Sequence, residues 1–307
     1  MIGRFAPSPT GELHLGNLRT ALVAWLSARS QDGTFLVRME DLDRANSAAH
    51  LADAQLDALR WLGLDWDGPV MFQSRRFDRY EAAIESLRNR GLTYPCYCSR
   101  REIAAAVAAP HGDTDQPYPG TCRHLTMLER AERERSGRRP ALRLAAPRHV
   151  GTFADGLHGR FTGWIDDVIL RRNDGVPAYN LAVVVDDAAQ GVTEVVRGDD
   201  LLTSTPRQIL IAELLGLSQR RYIHVPLVLG PDGSRLAKRH GAVTAAAVRS
   251  RGFRAEQVVG TLAHSLGLTE SAAPVAAGEL VDSFELARLR RAPWVFDDEA
   301  VSRDAKL

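Results

Sequence analysis

Within its first thirty residues the chain is committed to a strand, a sharp turn and a helix in immediate succession. Ile2 to Ala6 suits a short buried strand, and Pro7, Pro9 and Gly11 break it. Leu15, Leu18, Leu22, Trp25 and Leu26 then recur at helical spacing, which predicts a helix over Leu13–Ala28 with Thr10 as its cap. Alternation continues behind it, with Phe35–Met39 as a strand and Ala48–Leu62 and Phe77–Arg90 as helices. Strands separated by helices in this way pair in a parallel sheet covered on both faces, so an α/β fold is expected.

His14 and Gly16 fall in the first turn of the predicted helix. Unpaired backbone N–H groups and the positive end of the helix dipole favour a phosphate there. Gly16 lets a ring or a phosphate approach the backbone, and the His14 imidazole can donate to a phosphate oxygen. Far along the chain, the apolar run Tyr222–Leu229 leads into a turn of Gly230, Pro231, Asp232 and Gly233. The basic loop Ser234-Arg-Leu-Ala-Lys-Arg-His-Gly241 follows. Arg235, Lys238 and Arg239 on such a loop can close onto a polyphosphate and stabilise charge as it develops. The two stretches read as halves of one ATP site, meeting where open α/β sheets bind ligands, at the carboxyl ends of the central strands.

These two stretches resemble the HIGH and KMSKS signatures of class I aminoacyl-tRNA synthetases, a family with a Rossmann-type parallel sheet. The wider wording Arg4-Phe-Ala-Pro-Ser-Pro-Thr-Gly11 and Asn17-Leu-Arg-Thr-Ala-Leu22 is similar to the glutamyl branch. So are Met39-Glu-Asp-Leu-Asp-Arg44, Ala178-Tyr179, Asp186-Asp187, Arg197-Gly-Asp-Asp-Leu-Leu202 and Lys238-Arg-His-Gly241. The resemblance implies tRNA-independent activation of glutamate by magnesium-bound ATP to glutamyl-adenylate, then transfer to a tRNA hydroxyl. It implies His14 and Lys238 as the catalytic groups, with His14, Gly16, Asn17, Arg235, Lys238 and Arg239 on ATP. Around glutamate it implies Arg4, Phe5, Ala6, Pro7, Ser8, Glu40, Tyr179 and Arg197. Arg4, Tyr179 and Arg197 would take the side-chain carboxylate, for which a guanidinium is the best bidentate partner, and Glu40 with Ser8 the ammonium.

Two departures accompany the match. Arg235 and Ala237 stand where the family usually has Lys and Ser, and Val183 stands where tRNA-charging glutamyl enzymes usually carry Asn. Few residues follow the basic loop, which resembles the truncated members of the branch. Those members are implied to attach glutamate to queuosine in tRNA(Asp); the alternative is a short enzyme charging a tRNA 3′ end.

All three cysteines lie between positions 96 and 122. An odd count argues against a disulfide framework, whereas thiolates favour zinc and a structural site wants four tetrahedral ligands. His111, His124 and Tyr118 are the local candidates for the fourth. The family pattern, matched by Cys96-Tyr-Cys98 and Tyr118-Pro-Gly-Thr-Cys122, implies Tyr118 and one structural zinc.

Composition sets the remaining bounds. Hydrophobic residues are 45% and charged residues 25%, as in ordinary globular chains. No apolar run approaches the roughly 18 residues of a membrane span, and a cytoplasmic monomer is expected. A net charge of +1 excludes a general nucleic-acid coat, so RNA contact must be local. The best candidate is Arg123 to Arg148, with Arg130, Arg133, Arg135, Arg138, Arg139 and Arg143 between. The expected organisation is a nucleotide-binding catalytic domain in two halves, 1–95 and 166–242, the second beginning at Val168–Arg171. A zinc-containing insertion occupies 96–165. A helical, stem-contact-like segment fills 243–307, with a helix over Leu280–Leu289 and no anticodon-binding domain.

Overall fold

A computed structural model describes residues 1–99, 101–103, 118–147, 149–236, 240 and 243–296. Strand β1 (Ile2–Phe5) runs parallel to β2 (Thr34–Met39), which runs parallel to β3 (Met71–Phe72). Later in the chain β9 (Glu194–Gly198) lies parallel to β10 (Arg221–Val225), and β10 touches the hairpin of β6 (His149–Asp155) and β7 (Gly159–Ile165). The two sets meet at β1 and β9, where Thr193 N–H donates to Ile2 O at 2.9 Å. β1 sits in the middle of the assembly, and its last three residues are buried, as expected of a strand covered on both faces.

Helix α1 (Leu15–Arg29) corrects two sequence expectations. Its N-cap is His14, not Thr10, and it starts at Leu15, not Leu13; it is buried on almost every side. The sheet covers one face, and helix Ala255–Leu266 packs against the helix as well, burying Arg19, whose Nε donates to Ser265 Oγ at 3.0 Å. Helices α2 (Ala49–Trp61) and α3 (Phe77–Asn89) match their expected spans to within a residue. One core gathers α1, α2, the strand side chains Phe5, Phe35, Val37, Met39 and Ile223, and helix Ala255–Leu266. A second joins α3 to helices Tyr179–Ala189 and Thr205–Leu214. Val183 is buried in that second core.

The cysteines belong to a separate antiparallel layer of β4 (Thr93–Cys96), β5 (Ala141–Leu144) and β8 (Ile169–Arg171). Residues 96–165, read from sequence as one insertion, thus divide between two layers: the cysteine region rests on this small sheet and the 149–165 hairpin on β10. The expected run Tyr222–Leu229 breaks at Pro226 into β10 and β11 (Val228–Leu229), and β11 pairs with β12 (Trp294–Val295). The helix expected over Leu280–Leu289 resolves into two short 3₁₀ turns, Ala277–Leu280 and Leu286–Arg288.

Arg123 to Arg148 is not a uniformly basic surface. Arg123 pairs with Asp167 at 3.0 Å, and Arg143 is buried over the Tyr118 ring at 3.7 Å. Arg148 lies outside the described residues. Exposed arginines of the strip remain at Arg135, the last residue of a helix (Met127–Arg135) with no buried residue, and at Arg138 and Arg139 beyond it. Among the described residues no helix is long and apolar enough to cross a membrane.

A buried ionic hub ties the central elements together. Asp187 Oδ1 accepts from Arg4 Nε on β1 at 3.1 Å and from Arg38 NH1 on β2 at 2.7 Å. Its neighbour Asp186 faces the other way, accepting from Arg76 Nε at 2.7 Å, Gln73 Nε2 at 2.9 Å and Tyr80 OH at 2.7 Å. Burial opposes the Asp187 charge, but Arg4 and Arg38 outweigh it and hold the carboxyl down to about 2. Asp187→Asn leaves two buried guanidiniums without their shared acid and should cost about 3–5 kcal/mol in urea unfolding. A lowered carboxyl pKa binds fewer protons folded than unfolded. The hub's contribution should therefore be complete above the unfolded value near 4 and be lost as pH falls toward about 2.

Candidate active site

The carboxyl ends of β1, β2 and β9 open on one crevice of about 720 Å³. Arg4 through Ser8, Glu40, Tyr179 and Arg197 line it, as do His14, Gly16 and Asn17 at the start of α1 and Arg235 beyond β11. Every described residue assigned from sequence to glutamate or ATP therefore faces the same space. Lys238 and Arg239 lie outside the described residues, as does Ala237. Two backbone ties hold the rim. Glu40 N–H donates to Pro7 O at 2.9 Å, pinning the end of β2 against the proline turn. Leu15 N–H donates to Val243 O at 2.7 Å and Ala245 N–H to Leu13 O at 3.0 Å, so the chain leaving the basic loop clasps the His14 turn.

The start of α1 is chemically more specific than a free helix terminus. Asn17 N–H donates to His14 Nδ1 at 3.3 Å, and His14 N–H donates to Asn17 Oδ1 at 3.2 Å, a reciprocal cap. With Leu15 N–H already bonded, the first turn does not present the cluster of free amides that the sequence suggested. What it presents is the imidazole. Because Nδ1 accepts, a neutral ring carries its proton on Nε2. Burial, with the nearby Arg235 charge, lowers the His14 pKa and favours that neutral form. Gly16 makes room for it: a Cβ there would sit 2.9 Å from His14 Cε1 and 3.0 Å from Nδ1.

The two candidate carboxylate-binding arginines stand in opposite electrostatic situations. Arg4 is committed, with Nε on Asp187 and NH1 donating to Val196 O at 3.2 Å. Arg197 is buried, yet its partners among the described residues are all neutral. Nε donates to His224 Nε2 at 3.1 Å, NH1 to Gln208 Oε1 at 2.7 Å and NH2 to Thr205 Oγ1 at 2.7 Å. Tyr179 OH is 3.5 Å from NH1. A buried cation without a counter-ion is costly, and Arg197 lines the crevice, where an arriving carboxylate would relieve that cost. Glu40 accepts from Arg38 NH2 at 3.3 Å; burial raises its pKa against the lowering effect of Arg38 and Arg4. An ammonium beside it would favour the charged form. Arg235 reaches across to Asp200 and pairs with it.

Asp187 entered the sequence reading only as part of the Asp186-Asp187 match and was given no role there, and His224 and Asp155 were not singled out, although all three shape the site. The signal for the first was present: two adjacent acids inside the otherwise apolar run Leu181–Ala189 must be paired when buried. No local pattern announces His224 or Asp155, which meet only through β10 and β6.

Apart from the crevice, the sulfurs of Cys96, Cys98 and Cys122 all lie within 4.8 Å of one another. Tyr118 OH is 3.3 Å from Cys96 Sγ and 3.6 Å from Cys98 Sγ, completing a four-donor cage that could hold one tetrahedral cation. Burial disfavours thiolates here and pushes Cys98 up to about 12. At Cys96, Tyr118 and Arg143 outweigh burial and lower the pKa. A bound cation would compensate such a set. His124 is exposed and not in the cluster, and His111 lies outside the described residues.

Residues 1–303 match the family model of tRNA synthetases class I (E and Q), catalytic domain. A glutamyl-Q tRNA(Asp) synthetase of Nocardia farcinica is 59% identical over 97% of this chain and 94% of its own length. A glutamate–tRNA ligase of Geobacter sulfurreducens is 42% identical over 96% of this chain, which spans 63% of that ligase. The crystal structure of a glutamate tRNA ligase from Elizabethkingia meningosepticum, in complex with its amino acid, aligns with a TM-score of 0.83 at 27% identity. That alignment covers 99% of this chain and 68% of the ligase.

The cap geometry predicts that His14 is neutral at pH 7 with its proton on Nε2, and that it titrates below the ordinary histidine value near 6.5. Long-range ¹⁵N–¹H spectra read both. Gly16→Ala should displace the ring and abolish the unprotonated Nδ1 signal while leaving the melting temperature unchanged or higher, since alanine favours a helix over glycine.

Proposed function

The chain belongs to the class I tRNA synthetases for glutamate and glutamine, and from that premise we propose that it activates glutamate with ATP and transfers the glutamyl group to queuosine in the anticodon loop of tRNA(Asp). The observation that carries the first half is Arg197, a buried guanidinium without an acidic partner among the described residues, lining the crevice beside Tyr179. It receives the side-chain carboxylate, and Arg4, charge-balanced by Asp187, adds a polar contact. Glu40 holds the ammonium, with Ser8 assisting, and Phe5, Ala6 and Pro7 shape the wall.

The reaction needs no protein nucleophile. The α-carboxylate of glutamate attacks the α-phosphorus of ATP, the bond to the β-phosphate bridge breaks, and pyrophosphate leaves. His14 donates from Nε2 to a phosphate oxygen without adding charge. Gly16 and Asn17 keep that imidazole in place, so their part in ATP binding runs through it. Lys238, with Arg235 and Arg239, supplies the positive charge that stabilises the transition state. A queuosine hydroxyl then attacks the acyl carbon and AMP leaves. Support for this acceptor is the 59% identity to a glutamyl-Q tRNA(Asp) synthetase, against 42% to a glutamate–tRNA ligase. Val183 is buried in the second core and is not among the residues that line the crevice.

Glutamate-dependent ATP–pyrophosphate exchange should proceed without tRNA. Glutamine should be poorer by at least about 10²-fold in kcat/KM, because its amide leaves the Arg197 charge uncompensated. Lys238→Ala should lower exchange about 10²-fold. Labelled glutamate should reach tRNA(Asp) only when queuosine is present. Transfer to the 3′ end of unmodified tRNA(Glu), with none to queuosine-containing tRNA(Asp), would establish 3′-end charging instead.

The four-donor cage would hold one zinc through Cys96, Cys98, Cys122 and Tyr118, where it would order the small sheet and take no part in the reaction. Elemental analysis of protein purified without added metal should find close to one zinc per chain. Cys98→Ser should lower both zinc content and melting temperature. Tyr118→Phe with full zinc affinity would remove the phenol from the ligand set.

A further inference from the structure

Arg197 does not aim itself. Its Nε, the one guanidinium nitrogen with a single hydrogen, donates to His224 Nε2. On its other side His224 presents Nδ1 to Asp155 Oδ2 at 2.6 Å, and both side chains of that pair are fully buried. Asp155 is itself fixed: its Oδ1 accepts from the N–H groups of Leu157 and His158, both at 2.9 Å. A carboxylate can only accept, so the His224 proton sits on Nδ1 and Nε2 is left as an acceptor, with Arg197 Nε and Thr205 Oγ1 each 3.1 Å away. Of the five guanidinium N–H groups, His224, Gln208 and Thr205 take three at close range. Two more contacts, to Tyr179 OH and Leu201 O, are stretched to 3.5 Å.

We propose that the Asp155–His224 pair is the positioning device of the glutamate pocket: it holds Arg197 through a neutral acceptor, so that the guanidinium is oriented without its charge being cancelled before a carboxylate substrate arrives. Had an aspartate occupied the place of His224, orientation would have come with neutralisation, as it does for Arg4 on Asp187. His224 reaches that neutral state because burial lowers its pKa to about 4 despite the neighbouring Asp155. Phe153 closes the ring from the side with its centroid 6.2 Å away, and Tyr222 stacks near-parallel at 13°. The pair acts through Arg197 and is not itself catalytic. The proposal rests on the reading that Arg197 receives the side-chain carboxylate.

The test is pyrophosphate exchange with glutamate and ATP varied separately. His224→Ala frees the guanidinium and should raise the KM for glutamate about 10- to 100-fold, the worth of one hydrogen bond to a charged group, with the KM for ATP within about twofold. His224→Gln can return an amide oxygen toward the Nε2 position and should recover most of that loss. In the wild-type protein, ¹⁵N shifts should show His224 protonated on Nδ1 and bare on Nε2 at pH 7, a reading that needs no variant to fold. The opposite tautomer would overturn the proposal, and so would an unchanged glutamate KM in a folded His224→Ala protein. Arg197→Lys separates the two levels. An unchanged glutamate KM in that variant defeats the underlying assignment of Arg197, whereas a large rise there with none in His224→Ala defeats only the positioning role.

Discussion

Asp187 decides what Arg4 in the crevice is available to do, and ties it to Arg38 behind. One carboxylate between Arg4 and Arg38 joins the first strand, the second strand and the helix that begins at Tyr179. The junction is buried, so it holds these three elements at fixed distances and sets the width of the crevice between them. It also divides labour. Arg4 is neutralised within the protein, and Arg197, among oxygens and an imidazole, is not. Had the acid lain nearer Arg197, the same composition would have produced a crevice lined by two satisfied cations, with little electrostatic appetite for an acidic side chain.

The histidine at the mouth of α1 shows the same economy. In many anion-binding helices the free amides meet the ligand directly. Here Val243 O takes the Leu15 N–H and the His14 ring takes the Asn17 N–H, so the turn presents an imidazole where free amides would otherwise stand. That substitution makes the two distant signature stretches mechanically adjacent. Residues 243–245 bond to residues 13–15, so the exit of the basic loop is tied directly to the His14 turn.

How much of this was legible beforehand varied with the range of the forces involved. The alternating strands and helices were readable because each leaves a periodic record in consecutive residues, and α2 and α3 came out within a residue of their expected ends. The crevice lining was readable because the signature residues sit at strand ends and helix starts. What eluded the sequence were partnerships across the fold. Nothing near Arg197 says that its Nε will meet His224, and nothing near Arg143 says that it will be buried over Tyr118 and not exposed to RNA. The α1 cap was misassigned because threonine is a common cap and histidine is not; the decisive factor, Asn17 three residues on, works only in a reciprocal pair. The expected helix over 280–289 failed because its apolar spacing serves two separate 3₁₀ turns.

The pairing of β11 with β12 bears on the order in which the molecule can be made. Val228 lines the crevice and lies 3.4 Å from where a Gly16 side chain would begin, and its strand partner is Trp294. Leu227 O and Leu229 O are bonded by the N–H groups of Trp294 and Phe296, at 3.1 and 2.8 Å. On a ribosome these are among the last described residues to emerge. The first strand and its helix can therefore fold early around their own core, while the wall that faces them across the crevice gains its edge only once Phe296 has been added. A nascent chain that ends before Trp294 would carry both signature stretches and still lack the strand that pairs with Val228 and Leu229.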